Sequence, residues 1–429
     1  MADPLRLGIA GLGTVGAGVV KIIRQKQALL EARTGREIVI SAVSARSRAK
    51  DRGVNLSSYA WEDDPVALAT RDDVDVFVEL VGGEDGPAKD ATEAAINAGK
   101  DVVTANKAML AMHGQTLAEM AEAAGRVIRF EAAVAGGIPV IKALTEGLAG
   151  NEVTRVMGVM NGSCNYILTR MESAGLTYEE VFAEADGLGY LEADPQLDVG
   201  GIDAAHKLAI LSSIAFGTQV DFAGIALEGI ENVTIEDINH AADMGFKIKL
   251  LGSAQLGARG LEQSMAPCLV PATSPLGQLD GGTNMVVLEG DQVGQIVLRG
   301  AGAGEGPTAS AVLSDIVDIA RGTRLPTFGQ PATQLQKAKS AKSATPAPYY
   351  LRMSLEDKPG ALAKVATALG DAGVSIDRMR QYDHADAATA PVLIVTHTVS
   401  ADALNAALQA LPGTGVISDT PVALRIEKV

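Results

Sequence analysis

Basic residues are in short supply. The 429-residue chain has 36 Lys and Arg against 52 Asp and Glu, a formal net charge of -16. A general nucleic-acid binder needs clustered cations to displace counterions from phosphates, so this balance excludes that class and leaves room only for a local basic pocket. Aromatic residues are 3% of the chain, so its 47% hydrophobic content is mostly aliphatic and alanine. That suits helices packed closely on sheets. Cysteine is limited to Cys164 and Cys268, with no CxxC pair. Neither a disulfide framework nor a cysteine-based metal site follows, and a reducing cytoplasm is the expected compartment. No apolar run of about 18 residues free of charge, Gly and Pro is present, so no membrane span is expected. The opening MADPLRLGIAGLG lacks the basic and apolar regions of a signal peptide. No tandem repeat is found.

What is present reads as two or three domains. Short apolar strands (5–10, 37–43, 74–81, 101–103, 127–130) alternate with helical spacing (14–30, 87–98, 113–124) up to residue 135. That alternation predicts an α/β unit with a parallel sheet. Residues 136–305 read as an α+β domain with a mixed sheet: strand-like runs at 153–160, 247–256, 283–289 and 293–299, helical runs at 163–174 and 200–216. Residues 306–321 (GPTASAVLSDIVDIAR) read as a strong helix that returns to the first domain, with the helix drawn as far as 330 to complete that domain. Residues 331–348 (PATQLQKAKSAKSATPAP) read as a linker with little that packs. The tail, 349–429, carries the order βαββαβ.

Gly11-Leu12-Gly13-Thr14-Val15-Gly16 is a GxGxxG string directly after a strand and opening a helix. The first Gly permits the turn, the second lets a pyrophosphate approach the backbone, and the third lets helix and strand pack. The helix N-terminus adds free N–H donors. An acid that would hold the 2′-hydroxyl of NAD belongs at the end of the second strand. Here that end reads Val43-Ser44-Ala45-Arg46-Ser47-Arg48, so Arg46, Arg48 and Lys50 point to the 2′-phosphate of NADP, with NAD still open.

Two lysines stand out. Lys107, in Thr104-Ala105-Asn106-Lys107, follows a strand of the parallel unit, where loops face the cofactor crevice. Position alone equally suits a solvated lysine at a helix start. Lys207 lies four residues after Asp203 and so shares its helix face. Its apolar flank (Leu208, Leu211, Ala215, Phe216) suggests partial burial and fitness for proton transfer; a surface ion pair is the plain alternative. Glu192, Asp194 and Asp198 would suit a substrate ammonium group, or a capped solvated loop. His206, turned about 100° from Lys207 on the helix, is a poor catalytic candidate. Asn161-Gly162-Ser163 opens a helix and would present N–H and hydroxyl groups to a carboxylate. Cys164 beside it is a weak nucleophile candidate with no histidine near it in sequence.

Taken together, GIAGLGTVGAGVV (8–20), VELVGG (78–83), VVTANKAMLA (102–111), FEAAVAGGIPVIKAL (130–144), GVMNGSCNYILTRM (158–171), GYLEADPQLDVGGIDAAHKLAILSSIAFG (189–217) and GAGAGEGPTASAVLSDI (300–316) resemble the homoserine dehydrogenase family. The tail, with its DKPG turn at 357–360, resembles an ACT domain. The resemblance implies a Rossmann domain, a catalytic and dimerisation domain, and an ACT regulatory domain. It implies reversible NAD(P)H-dependent reduction of L-aspartate 4-semialdehyde to L-homoserine. Lys207 and Lys107 match the family's active-site lysines, with Asp203 beside them. Glu192, Asp198, Asn161, Gly162 and Ser163 match substrate-binding positions. Gly82, Gly83, Thr104, Lys107 and Gly304 join the glycine loop and Arg46 as cofactor positions. Glu131, Val134, Gly136 and Ile138 match a monovalent-cation site, for an ion such as Na+. Ser163-Cys164 stand where the family commonly has two threonines, and Ala301 where it often has proline. The resemblance further implies an amino-acid effector, L-threonine, near Gly373-Val374-Ser375-Ile376, and a homodimer or homotetramer. The repulsion of two lysines is expected to lower at least one pKa. Aspartate-semialdehyde dehydrogenase and a non-catalytic amino-acid sensor are the competing readings.

Overall fold

A computed structural model describes residues 2–192, 194–382 and 388–428. Its first sheet is parallel, in the order β3-β2-β1-β4-β5-β6, built from β1 (Leu5–Ala10), β2 (Ile38–Ser44), β3 (Ala60–Glu62), β4 (Val76–Glu79), β5 (Asp101–Thr104) and β6 (Ile128–Arg129). Leu7, Ile9, Val76, Val78, Val102 and Val103 are fully buried. Strands covered on both faces need such continuous apolar runs. The connecting helices are α1 (Thr14–Thr34), α2 (Pro65–Ala69), α3 (Pro87–Asn97) and α4 (Lys107–Ala123). The strand order reverses between β1 and β4, which opens a crevice there.

The second sheet begins with β7 (Val153–Val159), after the short α5 (Val140–Lys142). Helices α6 (Gly162–Ala174), α7 (Tyr178–Gly187), α8 (Pro195–Val199), α9 (Ile202–Phe216) and α10 (Ile235–Asp243) follow, with β8 (Ala226–Leu227) between the last two. Strands β9 (Phe246–Gly257), β10 (Gly260–Pro271), β11 (Thr283–Gly290) and β12 (Gly294–Ala301) make the antiparallel order β12-β11-β7-β9-β10, with β8 parallel to β10. Helix α9 packs on β7 and β9, and every residue from Asp203 to Ser213 is buried. Helix α11 (Glu305–Ala320) returns to the first layer, where Ala309, Val312 and Ile316 share a core with Val19 and Ile23 of α1.

The tail forms β13 (Tyr349–Glu356), α12 (Ala361–Asp371), β14 (Ile376–Gln381), β15 (Thr389–Thr396), α13 (Ala401–Ala410) and β16 (Val422–Ile426). Its sheet joins the second one through a short parallel pairing of β10 with β16, Cys268 opposite Arg425 and Leu269 opposite Ile426. Its strands also meet α10. Arg352 on β13 pairs with buried Asp237, Nε to Oδ1 at 2.5 Å, and the Tyr382 hydroxyl donates to Asp243 at 2.9 Å. No helix among the described residues is long and apolar enough to cross a membrane.

Four expectations need correction. Helix α4 starts at Lys107, not 113, because the Asn106 side chain caps it by accepting the Met109 N–H at 3.1 Å. The helix drawn over 306–330 ends at Ala320. Strand β10 is not among the strands the pattern predicts, because Pro267 and the polar Glu262, Gln263 and Ser264 interrupt its apolar run. Residues 331–348 are not a loose linker. The Lys339 carbonyl accepts the Leu261 N–H at 2.8 Å, Ala341 N–H returns to the Leu261 carbonyl, and Thr345 bonds Glu262. Ala332, Leu335 and Ala347 are buried. Backbone pairing with the start of β10, which composition does not reveal, holds this segment.

Replacing Asp237 by Ala leaves the Arg352 guanidinium half-buried and unpaired. The expected cost is about 3 kcal/mol, seen as a lower urea midpoint.

Candidate active site

The crevice at the carboxyl ends of β1, β4 and β5 is where the site assembles. After β1 the chain turns through Gly11 at φ 94°, and a Cβ there would lie 2.2 Å from the Leu80 carbonyl oxygen. Only glycine satisfies both conditions. Gly13 caps α1 and has open space where a Cβ would stand. Thr14 is exposed, Gly16 is buried against the loop, and Val15 lines the cleft. Leu12 contributes only backbone, since its side chain is buried in the core; its carbonyl accepts from Arg52 Nε at 3.0 Å. Arg46 is exposed just past β2, and the Arg48 and Arg52 guanidiniums each lie 5.8 Å from the centre of the Trp61 ring.

Gly82 and Gly83 follow β4 at φ 82° and 96°, exposed. Glu79, fully buried behind them, organises the loop. One of its oxygens accepts the N–H groups of Val81 (2.7 Å) and Gly82 (3.0 Å); the other accepts the Thr104 hydroxyl at 2.6 Å. Thr104 in turn accepts the Asn106 N–H at 2.9 Å, and Asn106 Nδ2 donates to the Gly83 carbonyl at 2.7 Å. The Thr104 side chain is therefore engaged behind the loop and does not line the cleft. Glu79 and Asn106 were not singled out from sequence. A lone carboxylate in the apolar run VFVELV was the available signal.

A cleft of about 360 Å³ brings together Lys107, Asn161, Gly162, Glu192, Asp198, Asp203 and Lys207 from distant parts of the chain. Lys207 Nζ lies 2.7 Å from Asp203 Oδ2 and donates to the Met160 carbonyl at 2.8 Å. Lys107 Nζ lies 3.1 Å from Asp203 Oδ1. Both lysines thus share one carboxylate. Asn161 caps α6 and donates to Asp198 at 2.8 Å and to Asp203 at 3.2 Å. The second Asp198 oxygen accepts the Glu192 N–H at 2.9 Å. Asp198 is thus buried and engaged, while the Glu192 side chain is exposed at the rim of the cleft. Ser163 is not in the cleft lining; its hydroxyl donates to the Tyr190 carbonyl at 2.6 Å and fixes the loop that carries Glu192. Gly304 caps α11 at φ 122°.

The electrostatics differ from simple lysine repulsion. Burial opposes the charge on Lys107, but Asp203 outweighs it and raises the pKa above the usual lysine value. Burial would also protonate Asp203, yet the two ammonium groups hold its carboxyl well below the usual range. Crowding by protein raises the Glu192 pKa, against the pull of Lys107. His206 packs on Phe222 with ring centres 4.4 Å apart, and its pKa is lowered by burial and then by Lys107. Cys164 is fully buried, its Sγ 3.2 Å from the Asp198 carbonyl; burial pushes the thiol pKa up and removes it as a nucleophile.

Glu131 begins a turn ending at Ile138. Its carboxylate accepts the N–H groups of Ile141 and Lys142, both at 2.9 Å, and burial followed by Asp315 pushes it up to about 7. Val134 and Ile138 are buried, and Ala135 and Gly136 take φ of 55° and 53°. No cluster of three or more His, Cys, Asp or Glu among the described residues is placed to hold a metal.

A parallel sheet in this strand order, a glycine loop at its reversal point, and paired lysines in the adjoining cleft define a nicotinamide-dependent oxidoreductase. The family profile for homoserine dehydrogenase matches residues 139–317, its NAD-binding domain matches 11–131, and an ACT domain matches 349–413. The homoserine dehydrogenase of Neisseria gonorrhoeae is 41% identical over 99% of both chains. A crystal structure of a homoserine dehydrogenase from Thiobacillus denitrificans superposes with a TM-score of 0.93 at 38% identity, covering 99% of this chain and 98% of that one. A hyperthermophilic archaeal homoserine dehydrogenase in complex with NADPH gives 0.63 at 27% identity, over 73% of this chain and 97% of that one. The chain belongs to the homoserine dehydrogenase family.

Because Asp203 raises the Lys107 pKa, Asp203→Asn should lower it. The alkaline limb of the pH–rate profile should then move to lower pH, together with a fall in kcat.

Proposed function

We propose that this cleft interconverts L-aspartate 4-semialdehyde and L-homoserine with NADP as the preferred cofactor, using Lys207 as the proton donor and acceptor. The observation that carries this reading is the shared carboxylate: Lys107 and Lys207 flank Asp203 in a cleft bordered by the glycine loop. The cofactor, when bound, supplies or accepts the hydride at the substrate carbon. As the aldehyde carbon is reduced, negative charge gathers on its oxygen. Two fixed ammonium groups stabilise that charge without reorganising, and Lys207 delivers the proton that completes the alcohol. In the oxidation, the same amine takes the proton back. Glu192 receives the substrate ammonium, while Asp198 and Asn161 hold Glu192 and Asp203 in position. Held this way, the reacting atoms stay aligned.

The side chains fit a dinucleotide at the glycine loop: Gly13 leaves open space, and the end of β2 carries Arg46 and Arg48 with no acid. That charge pattern supports NADP over NAD. A monovalent cation would be held by Glu131 and by backbone carbonyls of Val134, Gly136 and Ile138, at the turn where Ala135 and Gly136 take positive φ. For the ACT domain we propose an amino-acid effector, L-threonine, read as a threonine-dependent fall in rate. Val297, exposed on the edge strand β12, with Val293 exposed in the turn before it, supports assembly as a homodimer or homotetramer, read by light scattering. The buried thiols count against aspartate-semialdehyde dehydrogenase, which needs a reactive cysteine.

Lys207→Ala should abolish homoserine-dependent NADP reduction while NADPH binding, followed by its fluorescence, persists. Retained turnover would contradict the assignment. Arg46→Ala should lower the ratio of kcat/KM for NADPH over NADH by about ten-fold, the size of one lost charge-assisted hydrogen bond. An unchanged ratio would remove Arg46 from cofactor selection.

A further inference from the structure

None of the roles above uses one buried side chain of the cleft wall. Asn284 lies on β11, 1% exposed, just before the apolar run Met285–Leu288. It lines the cleft together with Gly162, Gly282 and Gly302. Its Oδ1 is buried and has no hydrogen-bond partner among the described residues. An amide left this way is costly, and few such groups persist in native proteins without a bound partner.

The surrounding backbone makes room for this amide. A Cβ on Gly302 would lie 2.1 Å from Asn284 Nδ2 and 2.2 Å from its Cγ. Any other residue at 302 would expel the carboxamide. On the other side, a Cβ on Gly162 would stand 3.5 Å from Oδ1. The amide is therefore seated between the end of β12 and the first residue of α6, whose opening N–H groups lack helical partners.

We infer that Asn284 binds the α-amino-acid end of the substrate; this rests on the reaction proposed above. A carboxamide carries an acceptor and a donor in one plane. An α-amino acid presents the complement on neighbouring atoms, an ammonium donor and a carboxylate acceptor. Oδ1, on the side of the start of α6, accepts from the ammonium, and Nδ2, on the Gly302 side, donates to the carboxylate. Glu192 neutralises the ammonium but offers no donor, so Asn284 supplies what the carboxylate cluster lacks. The inference makes recognition of the zwitterion, not of the reacting carbonyl, the function of this residue.

The test uses the full-length enzyme with Asn284→Ala and Asn284→Asp. For Asn284→Ala the KM for L-homoserine should rise about ten-fold or more, as for a lost hydrogen bond to a charged group. Its kcat and its NADPH affinity, the latter read by fluorescence, should stay near wild type. Asn284→Asp keeps the shape but sets a negative charge against the substrate carboxylate, so its KM should rise further. An unchanged KM in both variants would overturn the inference. So would weakened NADPH binding with an unchanged KM, which would move the amide to the cofactor. Retained NADPH binding shows that each variant is folded. Failure of the wild-type enzyme to oxidise homoserine would instead refute the reaction, independently of any variant.

Discussion

The Asp203 carboxylate is the constraint on which the rest of the site depends. It receives Lys207 from one turn further along α9 and Lys107 from the first residue of α4. A cation at a helix N-terminus works against the helix dipole, and two cations in one narrow cleft repel. A single buried anion between them removes both difficulties. The same contact ties the nucleotide-binding layer to the catalytic layer, where α4 packs on α9. Buried ion pairs are weak evidence for stability, so the arrangement is better understood as fixing position than as strengthening the fold.

A second tier of buried polar groups holds this centre in shape. Asn161 caps α6 with its oxygen and reaches Asp198 and Asp203 with its nitrogen. Asp198 then holds the backbone of Glu192, and Ser163 holds that of Tyr190. On the cofactor side, Glu79, Thr104 and Asn106 form a similar chain that sets the Gly82-Gly83 loop. Most of these groups do not face the ligand space. They determine where the few that do can stand, which is how a site is held to the tolerance that orientation requires.

Much of this was legible in the residues. The alternation of apolar strands and helical spacing, the glycine loop after the first strand, and the Asp203–Lys207 spacing all follow local periodicity. Helix α4 begins six residues before the spacing over 113–124 predicts, because Asn106 caps it and its buried apolar face begins at Met109. Two segments depart from that periodicity: β10 is the second arm of a hairpin with β9, Gly260 opposite Gly257, and 331–348 is held by hydrogen bonds to the distant Leu261 and Glu262, and side-chain pattern shows neither. Thr104 and Ser163 carried the right chemistry at the right place in sequence, yet their hydroxyls turn toward Glu79 and Tyr190.

The residues alone determined the layers, the cofactor loop and the list of charged groups, because helix and strand periods and turn chemistry are local properties. They did not determine charge state or partnership. The pKa of Lys107 rises rather than falls because Asp203, 96 positions away in sequence, comes within 3.1 Å. Asn284 stands out only once Gly302 and Gly162 close around it. Electrostatic and hydrogen-bonding energies depend on distance in space and on exclusion of water, and only the folded chain sets those two quantities.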